Sequence, residues 1–279
     1  MDDLLFSYAD ETTPRVKRKL IHMVELLSGQ PKLKSLYFEN RRNPQASESF
    51  WAAAIRKLAL DVRYDKSALA NIPKSGPLVV IANHPFGVLD GLMISWLMEK
   101  ARQDFIVLTN AVLLRIPETQ AYLLPVDFGG TPEAMETNLK TRAAARTHLQ
   151  RGGAVVVFPA GGISTAPDRL GRKPATDAPW QLFTAQLIQR SKATVVPLFF
   201  GGQNSRLFQI ASHISLTLRL SLIFHEVKKR IGTILPVAVG APIAFDEIAH
   251  LTERQALVDE LRARTYRLSA QLGEAAQAA

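Results

Sequence analysis

A histidine and an aspartate stand with five residues between them in Asn83-His84-Pro85-Phe86-Gly87-Val88-Leu89-Asp90-Gly91. Histidine titrates near neutrality, so an imidazole here can take a proton from an attacking hydroxyl or amine. A carboxylate on the other ring nitrogen fixes the tautomer and stabilises the imidazolium that forms, as in a serine-protease triad. In such a reaction the substrate brings the nucleophile, for instance to attack a thioester, and no serine is needed. Pro85 and Gly87 permit the tight turn that would fold Asp90 back onto His84. At this level a plainer reading stays open, in which His84 makes a structural hydrogen bond and Asp90 caps a helix.

The surrounding elements explain why those residues would meet. Pro77 to Ala82 is a short β-branched apolar run bounded by Gly76 and Asn83-His84, the pattern of a buried strand. It puts His84 at a strand's carboxyl edge and Asp90 at the start of a helix spanning Gly91 to Lys100. Further strands are expected at Phe105–Leu108, Ala154–Phe158, Thr194–Phe200 and Leu235–Val239. Between them lie helical patterns: one opens with Thr131-Pro132-Glu133 and stops at Gly152-Gly153, and another spans Pro179–Arg190. Residues Thr13–Arg42 and Glu48–Asp61 read as helices before the first strand, and Leu251–Leu272 as the last helix. Strands alternating with helices predict an α/β fold with a largely parallel sheet, helices on both faces and an N-terminal helical extension. The expected organisation is a basic helical segment over 1–59, an α/β core over 60–248, and a C-terminal helix with a frayed tail over 249–279. Ligands of such sheets bind where strands end.

Two other segments follow strands. Gly161 and Gly162 could turn backbone N–H groups toward a phosphate or a developing oxyanion, or could serve only a chain reversal. Asn204 and Arg206, in Gly201-Gly-Gln-Asn-Ser-Arg206, are candidates for substrate contacts on the same edge.

Composition narrows the partners. The 279 residues carry a net charge of +9 and no cysteine, which removes disulfides, thiolate nucleophiles and thiolate zinc sites. Anionic partners fit that charge. Between Pro14 and Arg42, eight Lys or Arg face only Glu25 and Glu39, either as a solvated face or as a contact for an anionic membrane surface. From Leu207 to Arg230 apolar residues alternate with cations, which suits a helix lying on a membrane or one packed on the sheet. No run approaches the ~18 apolar residues of a span, and no acid or histidine cluster has metal-ligand spacing. The start, Met1-Asp2-Asp3, lacks the features of a secretory signal.

Taken together, Asn83-His84 with Asp90, Phe158-Pro159-Ala160-Gly161-Gly162-Ile163-Ser164, and Val195-Val196-Pro197-Leu198-Phe199 resemble, in order and spacing, three blocks of the glycerolipid (lysophospholipid) acyltransferase superfamily. The resemblance covers roughly Leu60 to Phe245. It implies transfer of a fatty acyl group from acyl carrier protein or acyl-coenzyme A to a lyso-lipid at the cytoplasmic face of the inner membrane. His84 and Asp90 would be catalytic, and Asn83, Gly87, Phe158, Pro159, Gly161, Gly162 and Ser164 would contact substrate. No cofactor and no nucleic acid are implied.

Two departures bear on the acceptor. The usual spacing has four residues between histidine and aspartate. The third block usually carries an acid and an arginine where this chain has Ala160 and Ile163, and no arginine near Phe128 replaces the one usual in the second block. These features, with Ile116-Pro117-Glu118 and Leu124-Pro125-Val126-Asp127, resemble a bacterial hemolysin-like branch linked to acylation of lyso-aminolipids such as lyso-ornithine lipid. A phosphate monoester needs a fixed cation, so a zwitterionic lyso-lipid is expected over lysophosphatidate unless Arg142, Arg172 or Lys173 folds into the site. A hydrolase is disfavoured, since Gly162-Ile-Ser164-Thr-Ala166 fails the nucleophile-elbow pattern. A non-catalytic lipid-binding protein would leave the His84–Asp90 pairing without a purpose.

Overall fold

The computed structural model describes residues 23, 26, 28–127 and 129–272. It begins with α1 (Gln30–Arg42), α2 (Phe50–Lys57), β1 (Asp61–Arg63) and α3 (Lys66–Ala70). Then come β2 (Leu78–Ala82), α4 (Val88–Ala101), β3 (Phe105–Asn110), two 3-10 turns over Ala111–Arg115 and Pro117–Tyr122, and β4 (Leu123–Val126). A long α5 (Pro132–Gln150) leads to β5 (Ala154–Val157), α6 (Leu182–Ser191) and β6 (Thr194–Phe200). The chain closes with α7 (Arg206–Ile214), α8 (Leu216–Ser221), α9 (Ile223–Lys229), β7 (Ile234–Val239), α10 (Phe245–Ile248) and α11 (Arg254–Arg267).

The seven strands form one sheet in the order β1-β7-β6-β2-β5-β3-β4. All neighbours are parallel except β6 and β7. The expected largely parallel sheet is therefore present, with β7 and β1 running against the rest. β2 is the centre, and its five residues have no exposed surface. Its side chains alternate: Leu78, Val80 and Ala82 enter one apolar core, Val79 and Ile81 the other. Because β5, β2 and β6 are adjacent and parallel, the three segments that follow them emerge together at one edge.

Local chemistry sets the helix starts. Thr131 accepts from the Ala134 N–H at 3.2 Å, with Pro132 in the first turn, as its sequence predicts. Ser49 caps α2 by accepting from Ala52 at 3.0 Å. Gly29 caps α1 with φ 107°, so that helix starts at Gln30; residues 13–22 lie outside the described part, as does the tail after 272.

Several expectations need correction. β1 and β4 were not legible: β1 has three residues, and β4 contains Pro125, which only an edge strand tolerates. The 207–229 segment is three short helices, broken at Ser215, whose backbone is extended, and at Leu222. The helices on either side of the 60–248 core pack onto its two apolar layers. Trp51 and Ile55 share the core of β2 and α4, while Leu257, Val258 and Leu261 fill the other.

Candidate active site

β2 ends at Ala82 and the chain turns at once. The Asn83 side chain bridges to β6, donating to the Phe200 carbonyl at 3.0 Å and accepting from the Phe200 N–H at 2.7 Å. It is buried and fully engaged, so it holds strand ends together, whereas the sequence reading places it on substrate. His84 follows, 18% exposed at its side chain.

The extra residue between His84 and Asp90 is absorbed by Gly87, which adopts φ +76° and caps α4. Asp90, in the first turn, swings back with no solvent exposure. Its Oδ2 accepts from the Phe86 and Gly87 N–H groups at 2.8 and 2.9 Å and lies 3.0 Å from His84 Nδ1. That separation suits a hydrogen bond, but the alignment falls outside its angular limits, as is common before a substrate tightens such a pair. Burial pushes the Asp90 carboxyl up from its ordinary value, partly offset by His84 and the two N–H groups. Nδ1 is turned inward, which leaves Nε2 for a substrate proton.

The segment after β5 closes over this turn. The Phe158 ring lies 4.2 Å from the His84 ring, tilted by 31°. Gly161 takes φ +69° and donates its N–H to the Phe158 carbonyl at 3.0 Å, so that N–H is spent on the turn. Gly162 is exposed with open space above its Cα. Pro159 is buried and its carbonyl accepts from Gln181 at 2.9 Å. The Ser164 N–H donates to the His84 carbonyl at 2.8 Å. Ile163 packs on Gly87 so closely that a Cβ there would meet Ile163 Cδ1 at 2.6 Å. Glycine at 87 thus serves both the backbone angle and this approach.

Asp177 is the residue that sequence reasoning missed. Its Oδ1 accepts from the His84 N–H at 3.1 Å and the Ser164 hydroxyl at 2.5 Å, and its Oδ2 from Trp180 Nε1 at 3.0 Å. Its own N–H donates to the Tyr266 hydroxyl at 2.8 Å, and its carbonyl accepts from Arg262 at 3.0 Å. Burial and this carboxylate push the Tyr266 phenol up to about 12. One buried acid therefore ties the His84 turn, the 158–164 segment and α11 together. Ser164 serves this bracing rather than an open pocket. A lone aspartate in a polar loop gives no sequence signal of such a role.

The third segment meets the same turn: a Cβ at Gly202 would lie 2.8 Å from Phe86 Cζ. Asn204 is 1% exposed, and neither its amide nitrogen nor its oxygen has a partner. Arg206 is exposed and donates to the Leu170 carbonyl at 2.8 Å. Of the cations in the 207–230 segment, Lys228 and Lys229 are exposed, whereas Arg219 and Arg230 turn inward. Arg230 stacks over Phe86 at 4.3 Å and pairs with buried Glu226 at 3.0 Å, and Arg219 donates to the Ile163 carbonyl. Of the stand-in cations, Arg142 lies over Phe183 at 5.1 Å, and Arg172 and Lys173 are exposed residues whose backbone N–H groups bind Asp168.

A family model described as "Acyltransferase" matches residues 43–275, which takes in every segment of this site. The chain belongs to the acyltransferase family. It is 24% identical over 194 residues to a lyso-glycine lipid O-acyltransferase of Bacteroides thetaiotaomicron, covering 67% of this chain and 68% of that one. A protein of the same name from Phocaeicola vulgatus is 24% identical over 199 residues, covering 67% and 66%. Among solved structures, the 1-acyl-sn-glycerophosphate (LPA) acyltransferase PlsC of Thermotoga maritima matches at a TM-score of 0.49 and 16% identity, over 88% of this chain and 86% of that one. At that level the likeness adds nothing to the family match.

Proposed function

We propose that this acyltransferase moves a fatty acyl group from an acyl thioester, on acyl carrier protein or coenzyme A, to a lyso-lipid hydroxyl. The observation that carries the reading is the inward-facing Nδ1 of His84, 3.0 Å from wholly buried Asp90 at the edge where three parallel strands end. His84 Nε2 takes the proton as the acceptor oxygen attacks the thioester carbonyl, and Asp90 balances the imidazolium. Collapse of the tetrahedral intermediate breaks the C–S bond, and the same proton passes to the leaving sulfur. The products are an ester and a free thiol, so no serine or metal is called for.

The acceptor is a lyso-aminolipid in this reading. Ala160 is buried and Ile163 is packed on Gly87, so neither position offers a group to a phosphate. The relatives' names point the same way. An apolar cavity of about 140 Å³, lined by Leu33, Leu36, Phe50, Val88, Leu92 and Phe224, runs beside α4, the helix that carries Asp90, and could take part of an acyl chain.

The lipid would be met at a membrane surface. Among the described residues, no helix is long and apolar enough to cross a membrane. On α7, however, Leu207, Ile210 and Ile214 form one outward stripe, with Leu207 54% and Ile214 71% exposed. Leu216 continues it, and Leu170 lies beside it among exposed Arg169, Arg172 and Lys173. Apolar groups ringed by cations suit an anionic bilayer. The basic 14–42 region, part of which lies outside the described residues, would add to that attraction.

The test is purified protein with labelled acyl thioesters of carrier protein and coenzyme A, offered a panel of lyso-lipids and read by mass spectrometry. Acylated lyso-aminolipid is the expected product. A clear lead for lysophosphatidate would overturn the acceptor assignment, and thioester hydrolysis without transfer would overturn the function.

A further inference from the structure

α8 turns one cation back toward the site, and its surroundings are unlike those of Arg102 and Arg230. The peptide unit joining Ile163 and Ser164 donates its N–H to the His84 carbonyl at 2.8 Å, and its carbonyl accepts from the Arg219 guanidinium. His84 and Arg219 thus sit at opposite ends of one peptide plane. The guanidinium is half-buried, lies 5.5 Å over the Phe208 ring, and is held below its ordinary pKa by that burial.

Arg262 is placed much as Arg219 is, donating to the Asp177 carbonyl and lying 4.9 Å over the Tyr266 ring, on the far side of the turn. Arg102 and Arg230 show the other way in which this chain satisfies a buried guanidinium. Arg102 is 5% exposed, grips both oxygens of Asp104 and also donates to the Pro73 and Gly76 carbonyls. Arg230 has Glu226. Among the described residues, no carboxylate lies within ion-pair distance of Arg219, and the Ile163 carbonyl is the single acceptor it meets. A cation withdrawn from water without a counter-charge is costly unless a ligand supplies one. Four residues before Phe208 in the chain, buried Asn204 holds a carboxamide with no partner among the described residues.

We propose that Arg219 is an anion-binding residue, holding a carboxylate or phosphate oxygen pair of a substrate beside the catalytic turn. Two sources carry that chemistry. An amino-acid headgroup linked through its nitrogen leaves its α-carboxylate free on the acceptor, and the carrier's phosphates lie on the donor. The planar fork of the guanidinium suits either bidentately. This site rests on the acyl-transfer reading for its substrates, although its charge balance does not.

The experiment compares wild type with Arg219→Gln and Arg219→Lys in two assays. In the first, protection against thermal unfolding by a short-chain N-acylglycine, and separately by coenzyme A, needs no turnover. Wild type and His84→Ala should both be protected by the ligand that carries the anion, and Arg219→Gln should lose that protection. In the second, KM is measured for a lyso-aminolipid with a free carboxylate, for its methyl ester, and for donors with and without carrier phosphates. Arg219→Gln should raise one KM by about 10- to 100-fold, the loss of a charge-assisted hydrogen-bond pair, with Arg219→Lys between. A rise confined to the free-carboxylate acceptor assigns the anion to the headgroup. A rise confined to phosphate-bearing donors assigns it to the carrier. Equal losses with charged and uncharged substrates, together with unchanged thermal protection, would overturn the proposal and leave Arg219 as a brace for the Ile163 carbonyl. Thermal protection that depends on Arg219 in a protein that acylates no lyso-lipid would instead count against the acyl-transfer reading alone.

Discussion

The two flanks of His84 are built on opposite rules. On the Asp177 side, the aspartate's own carboxylate, N–H and carbonyl are all taken up within the protein: His84, Ser164, Trp180, Tyr266 and Arg262 converge on this one buried residue, and Arg262 Nε is the group left over. On the side covered by α7 and α8, the buried Asn204 carboxamide has no partner and Arg219 is half-buried with no acid within ion-pair distance, among the described residues. A carboxylate whose acceptors are all filled holds geometry, and a polar group left open beside the turn can take a ligand, because each unmet buried group costs free energy that a substrate can recover. The difference separates positioning from recognition within one site. Substitutions on the first flank should lower stability and kcat together, whereas those on the second should act mainly on KM.

The largest effect should come from Asp177→Ala. It strands the His84 N–H, the Ser164 hydroxyl and the Trp180 N–H in the interior, and about 3–5 kcal/mol of stability should be lost in urea unfolding. Asp177→Asn keeps an acceptor and should lose less. In the Asn variant, kcat should fall while KM for the acceptor stays near wild type. A change confined to KM would erase the contrast between the flanks.

Asp90→Asn tests the other buried acid, and the sign of its effect differs. Burial raises the folded carboxyl above its ordinary value of 3.8. A raised value stabilises the fold fully below the unfolded value, and that contribution is lost as pH rises through the folded one. At neutral pH the charge is therefore a burden on the fold. The carboxamide oxygen of the Asp90→Asn variant can still accept from the Phe86 and Gly87 N–H groups, so stability at pH 7 should stay equal or rise by about 1 kcal/mol while turnover drops. Stability curves for both proteins from pH 3 to 8 would show the gap narrowing as pH falls. A variant much less stable than wild type at pH 7 would contradict the desolvation argument.

How far the sequence carries depends on whether a feature is local. The β-branched run 78–82, the Thr131-Pro132 cap and the His–Asp spacing were legible because each depends on neighbours in the chain. β4 was not, because Pro125 argues against a strand unless its edge position is known. The helix breaks at Ser215 and Leu222 escape notice because apolar residues run through them without glycine or proline. Asn83 reads as a substrate contact in the sequence, since nothing local says that its amide is spent on Phe200, 117 residues away. Asp177 and Arg219 give no signal for the same reason: their partners lie at long sequence distance.

The smallest stability effect should come from the outward stripe. The double variant Ile214→Ser/Leu216→Ser removes two exposed side chains and should change stability by no more than about 0.5 kcal/mol. Sedimentation with anionic vesicles should nevertheless fall, and the residual binding should weaken in high salt. Activity on detergent-dispersed acceptor should stay near wild type. Undiminished vesicle binding would remove this face from the membrane contact.

His84→Ala, checked for an unchanged circular dichroism spectrum and assayed for acyl transfer beside wild type, tests the centre of the mechanism most directly. Loss of a positioned general base costs ~10²- to 10⁴-fold in rate, and a fall of that size at little-changed KM is expected. Turnover within a few-fold of wild type would show that the His84–Asp90 pair is structural and that the proton leaves the acceptor by another route.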